Sequence, residues 1–246
     1  MIGILDSGIG GVVTLSRILE TSKFKNTSFL CLADQANTPY GEKTKEELLE
    51  ITCRNLKWFK EQGVNTVLIA CNTICSSIFD EVNGIFEDMN LINIVNLTCE
   101  YLASRKIDSI IILATKLSIE SKTYQSQLHH SFPKANIYPV IASALVPLIE
   151  DDKTDEEKKG ALQEYLAPYL GKAESILLGC THYPLLKDLI YEIIPVEIYD
   201  SNEAIIADLV AENDEQVVRV FTSGCRKKAV QQVEKILGFK IDVEQK

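Results

Sequence analysis

Short β-rich apolar runs alternate with amphipathic stretches along most of the chain: IGIL (2–5), TSFLCLA (27–33), NTVLIA (65–70), INIVNL (92–97), DSIIILA (108–114), ANIYPVIA (135–142) and ESILLG (174–179). Continuous apolar runs mark strands buried on both faces, so the pattern predicts an α/β protein with mainly parallel sheet. Between the second and third runs, KEELLEITCRNLKWFKEQG (45–63) places Leu48, Ile51, Thr52, Leu56 and Phe59 on one helical face. Glu46 and Glu47 fall in its first turn and Gly63 at its stop. Farther on, QVVRVFTSG (216–224) and CRKKAVQQVEKILGF (225–239) predict one more strand and an amphipathic helix, able to close either half of the molecule. The charged segment EDDKTDEEKKG (150–160) reads as an exposed loop and first helical turn.

The pattern is doubled. GILDSG (3–8) and IILATK (111–116) each end a strand in a small hydroxyl residue, and each is followed by a strand ending in cysteine, at Cys71 and Cys180. Ser7 lies 64 residues before Cys71 and Thr115 lies 65 before Cys180, which predicts two half-molecules of similar βα design. Open α/β sheets bind ligands at the carboxyl ends of their strands, where these four segments converge. The expected fold is therefore two pseudo-symmetric open, mainly parallel sheets flanked by helices, with the active site in the cleft between them.

Charge and composition narrow the partners. The chain carries 25 basic and 35 acidic residues, a net charge of -10, which argues against direct nucleic-acid binding and against anionic membrane surfaces. No apolar run reaches the length of a membrane helix, and MIGILDSGIGG lacks the features of a signal peptide, so a cytoplasmic location is expected. The seven cysteines form an odd set without Cys-x-x-Cys, which speaks against a disulfide framework and a structural metal. Cys31, Cys53, Cys75 and Cys99 read as small packing residues.

Cys71 and Cys180 read differently, because each stands at a strand-to-helix junction where helix N–H groups lower a thiol's pKa. Polar neighbours follow each, Asn72-Thr73 and Thr181-His182. Two opposed thiols suit stereoinversion: one removes a proton from a carbon and the other returns one to the opposite face. Asp6 and His182 then read either as auxiliary acid/base groups, one for each thiol, or as structural residues, a helix cap and a hydrogen-bonding imidazole. The glycine-rich DSGIGGVVTLSRIL (6–19) has Val13 at the last glycine of a dinucleotide fingerprint, and no phosphate-loop motif occurs. Its turn suits a tight β-to-α connection or exposes N–H groups to a carboxylate. Neither cysteine junction offers a lysine for pyridoxal phosphate, so no cofactor is expected.

In order along the chain, DSGIGG (6–11), ADQANTPYGEKT (33–44), ACNT (70–73), ATKLSIESKTY (114–124), LVPLIE (145–150), GCTHYPLL (179–186) and DSNEAI (200–205) resemble the glutamate racemases of the cofactor-independent aspartate/glutamate racemase superfamily. The resemblance implies that Cys71 and Cys180 are the catalytic thiols, supported by Asp6, Glu150 and His182. It further implies a glutamate site formed by Asp6, Ser7, Pro39, Tyr40, Gly41, Asn72, Thr73, Thr115, Ser118, Thr181 and His182, with Ser118 where the family usually has Thr. The chain departs from the family at NIVNLTCEYL (93–102), at Ile74, and at Gln35 and Asn37.

The reading that follows is a homodimeric enzyme interconverting L- and D-glutamate, supplying the D-isomer for peptidoglycan. Residues 1–95 with 207–246 form one half, and 96–206 the other. The alternatives are an aspartate racemase and a catalytically silent binding or regulatory protein on the same scaffold.

Overall fold

The computed structural model describes residues 1–211 and 215–246. The described strands are β1 (Ile2–Asp6), β2 (Phe29–Ala33), β3 (Thr66–Ile69), β4 (Asn90–Asn93), β5 (Ser109–Ala114), β6 (Asn136–Ile141), β7 (Ser175–Gly179), β8 (Glu197–Tyr199), β9 (Val218–Thr222) and β10 (Val243–Gln245). They form a six-stranded sheet in the order β10-β9-β2-β1-β3-β4 and a four-stranded sheet in the order β6-β5-β7-β8. Every pairing among the described residues is parallel. The doubling is visible in the topology, since β2-β1-β3-β4 and β6-β5-β7-β8 are the same arrangement. Pro139, which has no N–H to give a ladder, sits on β6 at the edge of its sheet.

The segment after residue 215 returns to the first sheet, where β9 pairs with β2 and β10 with β9. All five residues of β1, β2 and β7, and all six of β5, are buried. Side chains alternate across β5: Ile110 and Ile112 belong to the large apolar cluster that also holds residues of the first sheet, whereas Ile111 and Leu113 belong to a second cluster with Val146, Ile176 and Tyr183. Burial on both faces is why these strands read as unbroken apolar runs.

The helix expected over 45–63 is α2 (Lys45–Glu61), and its buried face adds Asn55 to the five expected residues. Thr44 and Glu47 form a reciprocal capping box, and Gly63 takes φ +75° just beyond the last turn. The expected strand 92–97 is corrected: β4 stops at Asn93, whose side chain accepts from the N–H groups of Val95 and Asn96 at 2.8 and 3.1 Å. That cap turns the rest of the run into the helix Ile94–Ala103. The two three-residue strands β8 and β10 were too short to leave a period in the sequence. No helix among the described residues is long and apolar enough to cross a membrane.

Candidate active site

The carboxyl ends of the paired strands converge on one enclosed cavity, lined from the first half by Ser7, Pro39, Tyr40, Gly41 and Cys71 to Thr73. Thr115, Val146 and Cys180 to His182 line it from the second half. Its volume is about 10 Å³, room for about one water. Both thiols therefore face the same closed space, delivered by the topologically equivalent strands β3 and β7.

The turn into α1 (Gly10–Leu19) owes its glycines to close approach. A Cβ on Gly8 would stand 1.9 Å from Glu150 Oε1, and one on Gly10 would stand 2.2 Å from Thr181 Oγ1. The expectation of N–H groups facing a carboxylate holds, but the carboxylates belong to the protein. The Gly8 N–H donates to Asp6 Oδ1 at 2.9 Å and the Ile9 N–H to Glu150 Oε1 at 2.8 Å.

Behind Cys180 runs a buried relay across two hydrogen bonds. Its Sγ lies 3.7 Å from His182 Nδ1, and His182 Nε2 lies 2.8 Å from Glu150 Oε1. Burial pulls the His182 imidazolium down, but hydrogen bonding and charge from Cys180 and Glu150 outweigh it and hold His182 well above its ordinary 6.5. Burial likewise raises the Glu150 carboxyl, and His182, the Ile9 N–H and Gln35 reverse the sign, leaving it below its ordinary value. The two directions agree: the pair favours an imidazolium against a carboxylate.

Cys71 has different surroundings. It precedes α3 (Asn72–Ser77) as the N-cap residue, and the Ile74 N–H favours its thiolate. Burial and the nearby Asp6 charge act more strongly and push the thiol well above its ordinary range, so the expected lowering by the helix start does not prevail in the closed cavity. Asp6 is itself raised by burial, against the opposing influence of His182, Gly8 and Thr181. Cys180 is followed by a short 3-10 turn, Tyr183–Leu186, rather than directly by an α-helix. The two junctions are thus alike in strand position and unlike in what surrounds the sulfur.

Three of the expected site residues lie one layer behind the lining. Asp6 is fully buried and accepts from Thr181 Oγ1 at 2.9 Å. Glu150 stands behind His182. Ser118 supports Thr115 through a 3.0 Å hydroxyl contact, and Thr115 in turn meets Thr73 at 3.0 Å. The Tyr40 hydroxyl donates to Asp34 Oδ2 at 2.5 Å and accepts from Asn55 Nδ2 at 3.1 Å, so Tyr40 offers the cavity its ring and main chain. Asn72 Oδ1 accepts from the Tyr124 hydroxyl, while its Nδ2 is buried without a partner. An unpaired buried donor costs about 1–3 kcal/mol, so it marks a position awaiting an acceptor.

Residues that the sequence reasoning did not single out include Val146 in the lining, Asp34 and Asn55 behind Tyr40, Tyr124 behind Asn72, and Gln35 against Glu150. Val146, Asp34, Gln35 and Tyr124 each lie within a motif quoted above, Gln35 as a departure from the family pattern. Among the described residues no group of three or more His, Cys, Asp or Glu is placed to hold a metal.

Comparison with known proteins agrees with this architecture. The model of the Asp/Glu/hydantoin racemase family matches residues 15–209. A glutamate racemase of Clostridium perfringens (strain SM101 / Type A) is 31% identical over 212 residues, covering 85% of this chain and 81% of that protein. The crystal structure of the glutamate racemase isoform RacE1 from Bacillus anthracis superposes with a TM-score of 0.88 at 24% identity, over 100% of this chain and 97% of that one. A Francisella tularensis glutamate racemase solved in complex with D-glutamate gives a TM-score of 0.85 at 24% identity, over 100% and 95%. The chain belongs to the Asp/Glu/hydantoin racemase family.

Proposed function

We propose that this chain interconverts L- and D-glutamate with Cys71 and Cys180, one taking the α-proton from one face and the other giving a different proton to the opposite face. The observation that carries the reading is the pair of thiols lining one closed cavity from equivalent strands of the two halves. A thiolate on one side takes the α-hydrogen, charge builds on the α-carbon, and the thiol opposite delivers its own hydrogen to the other face. The first sulfur ends as the thiol and the second as the thiolate, so atoms and charge balance in either direction. Cys180, with His182 and Glu150 behind it, serves L-glutamate, and Cys71, beside Asp6, serves D-glutamate.

Substrate recognition falls to the polar lining. The unpartnered Asn72 Nδ2 is a donor for a substrate carboxylate, and the hydroxyls of Ser7, Thr73, Thr115 and Thr181 surround the same space. Enclosure strengthens each of these dipoles against a developing carbanion. The cavity, at about 10 Å³, holds far less than an amino acid, so it has to widen to admit substrate. Glutamate as substrate is supported by the similarity to named glutamate racemases. Aspartate is one methylene shorter, a difference worth about 1–3 kcal/mol in a pocket. Supply of D-glutamate to peptidoglycan is the role that fits this activity.

The test is the decay of circular dichroism of L-glutamate, and separately of L-aspartate, with purified reduced protein. Glutamate is expected to racemise faster, and activity to survive dialysis against chelator and treatment with a carbonyl reagent. Folded protein that leaves both amino acids unchanged refutes the proposal.

A further inference from the structure

Glu150 reaches His182 from the second half, but the groups that fix its other atoms come from the first half. Gln35 Nε2 donates to Glu150 Oε2 at 2.8 Å and to Gln232 Oε1 at 2.9 Å. Gln232 Nε2 donates to the Glu150 main-chain carbonyl at 2.7 Å, closing a ring of two glutamines around one glutamate. The orientation of the Gln35 amide is fixed, because a carboxylate only accepts and must meet the nitrogen. The amide oxygen then accepts from Thr222 Oγ1 at 3.0 Å, a hydroxyl that also accepts from the Gly224 N–H at 3.0 Å. Gly224 makes room for this packing, since a Cβ there would lie 2.8 Å from Gln35 Cβ. Both N–H groups and the carbonyl of Gln35 are engaged.

Gln232 lies on the helix Arg226–Leu237. On the same face Lys228 pairs with Asp151 and Lys235 with Asp152, each at 2.8 Å. Those two pairs are well exposed, and exposed pairs contribute little. The half-buried glutamine ring is the part of this contact that touches the relay, and it joins side chains of the two halves. Gln35 is not among the residues that line the cavity.

We propose that Gln35, locked by Gln232 and Thr222, is the positioning residue for Glu150, and that it ties the last helix of the chain to proton transfer at Cys180. The kinetic part of this proposal rests on the racemase reading; the geometric part does not. With Glu150 held by Ile9 on one oxygen and by Gln35 on the other, the carboxylate has one orientation toward His182. Without Gln35 it is free to swing.

The experiment combines turnover with a readout that needs none. In Gln35→Leu, kcat is expected to fall about tenfold with KM within about twofold, a loss of alignment rather than of substrate contact. The acid limb of its pH profile moves to higher pH, because the carboxylate has lost a donor that favours its ionised form. Gln232→Leu reproduces the shift more weakly, and the double variant is less than additive. Lys228→Ala with Lys235→Ala leaves the profile where it was. Independently, the His182 ring is titrated by NMR in wild type and Gln35→Lys, with Glu150→Gln marking the result of losing the carboxylate. A lysine ammonium at position 35 would neutralise Glu150, so the His182 midpoint is expected to drop by about one pH unit. An unmoved His182 midpoint in folded Gln35→Lys overturns the proposal whether or not the protein racemises glutamate, as does a wild-type pH profile in Gln35→Leu. A moved midpoint in protein that turns over no glutamate sustains the positioning role and strikes only at the racemase reading.

Discussion

Glu150 accepts from His182, Ile9 and Gln35 on its carboxylate, and this density of donors explains how a buried acid stays ionised. Its depressed carboxyl contributes stability above its unfolded value near 4.5, and this is lost as pH falls through the lower folded value. His182, raised above 6.5, contributes stability below that value and loses it as pH rises through the higher folded one. Glu150→Gln is therefore expected to flatten both slopes of a plot of unfolding midpoint against pH, followed by calorimetry. A second residue-scale expectation concerns Gly8. Gly8→Ala drives a methyl group into Glu150 Oε1 and should cost about 1–3 kcal/mol in urea unfolding, with turnover reduced. The lining polar residues from Asn72 to Thr73 and from Thr181 to His182 were legible because hydroxyls and amides at apolar strand ends need partners. Gln35 was not: its partner Glu150 lies 115 residues away, and no local pattern encodes that distance.

Among the elements, α2 was the most legible, since its apolar period, acidic first turn and Gly63 agree with one another. Its capping box gives a separate test: Thr44→Ala should lower stability by about 1 kcal/mol while leaving turnover unchanged. A loss under a few tenths of a kcal/mol would show that the cap contributes little here. The run 92–97 was misread because a short apolar run has no period to distinguish strand from helix, and a single side chain, Asn93, decides where one ends and the other begins. The same Asn93 donates to the Cys75 carbonyl at 3.3 Å, linking this departure from the family pattern to the helix that follows Cys71.

At the scale of the whole molecule, the doubling gives two strand ends that present sulfur to one space, and one continuous apolar cluster reaches both sheets. Ile110, Ile112 and Leu177 of the second sheet belong to one continuous apolar cluster with residues of the first, such as Ile4 and Leu68. This was partly legible: the 64- and 65-residue spacings foretold equivalent strands, but not that alternate residues of β5 serve different cores. The central claim, one thiol for each face, makes a demand on hydrogen bookkeeping. A thiol holds one proton, so proton removal by one sulfur and return by the other must label the product and spare the substrate. The deciding measurement is the early turnover of L-glutamate in D₂O, with deuterium at the α-carbon read by mass spectrometry in each separated enantiomer. D-glutamate should carry solvent deuterium from its first appearance while the remaining L-glutamate keeps its original hydrogen. Unlabelled early product, or deuterium entering unreacted L-glutamate as fast as D-glutamate forms, would contradict transfer between two thiols.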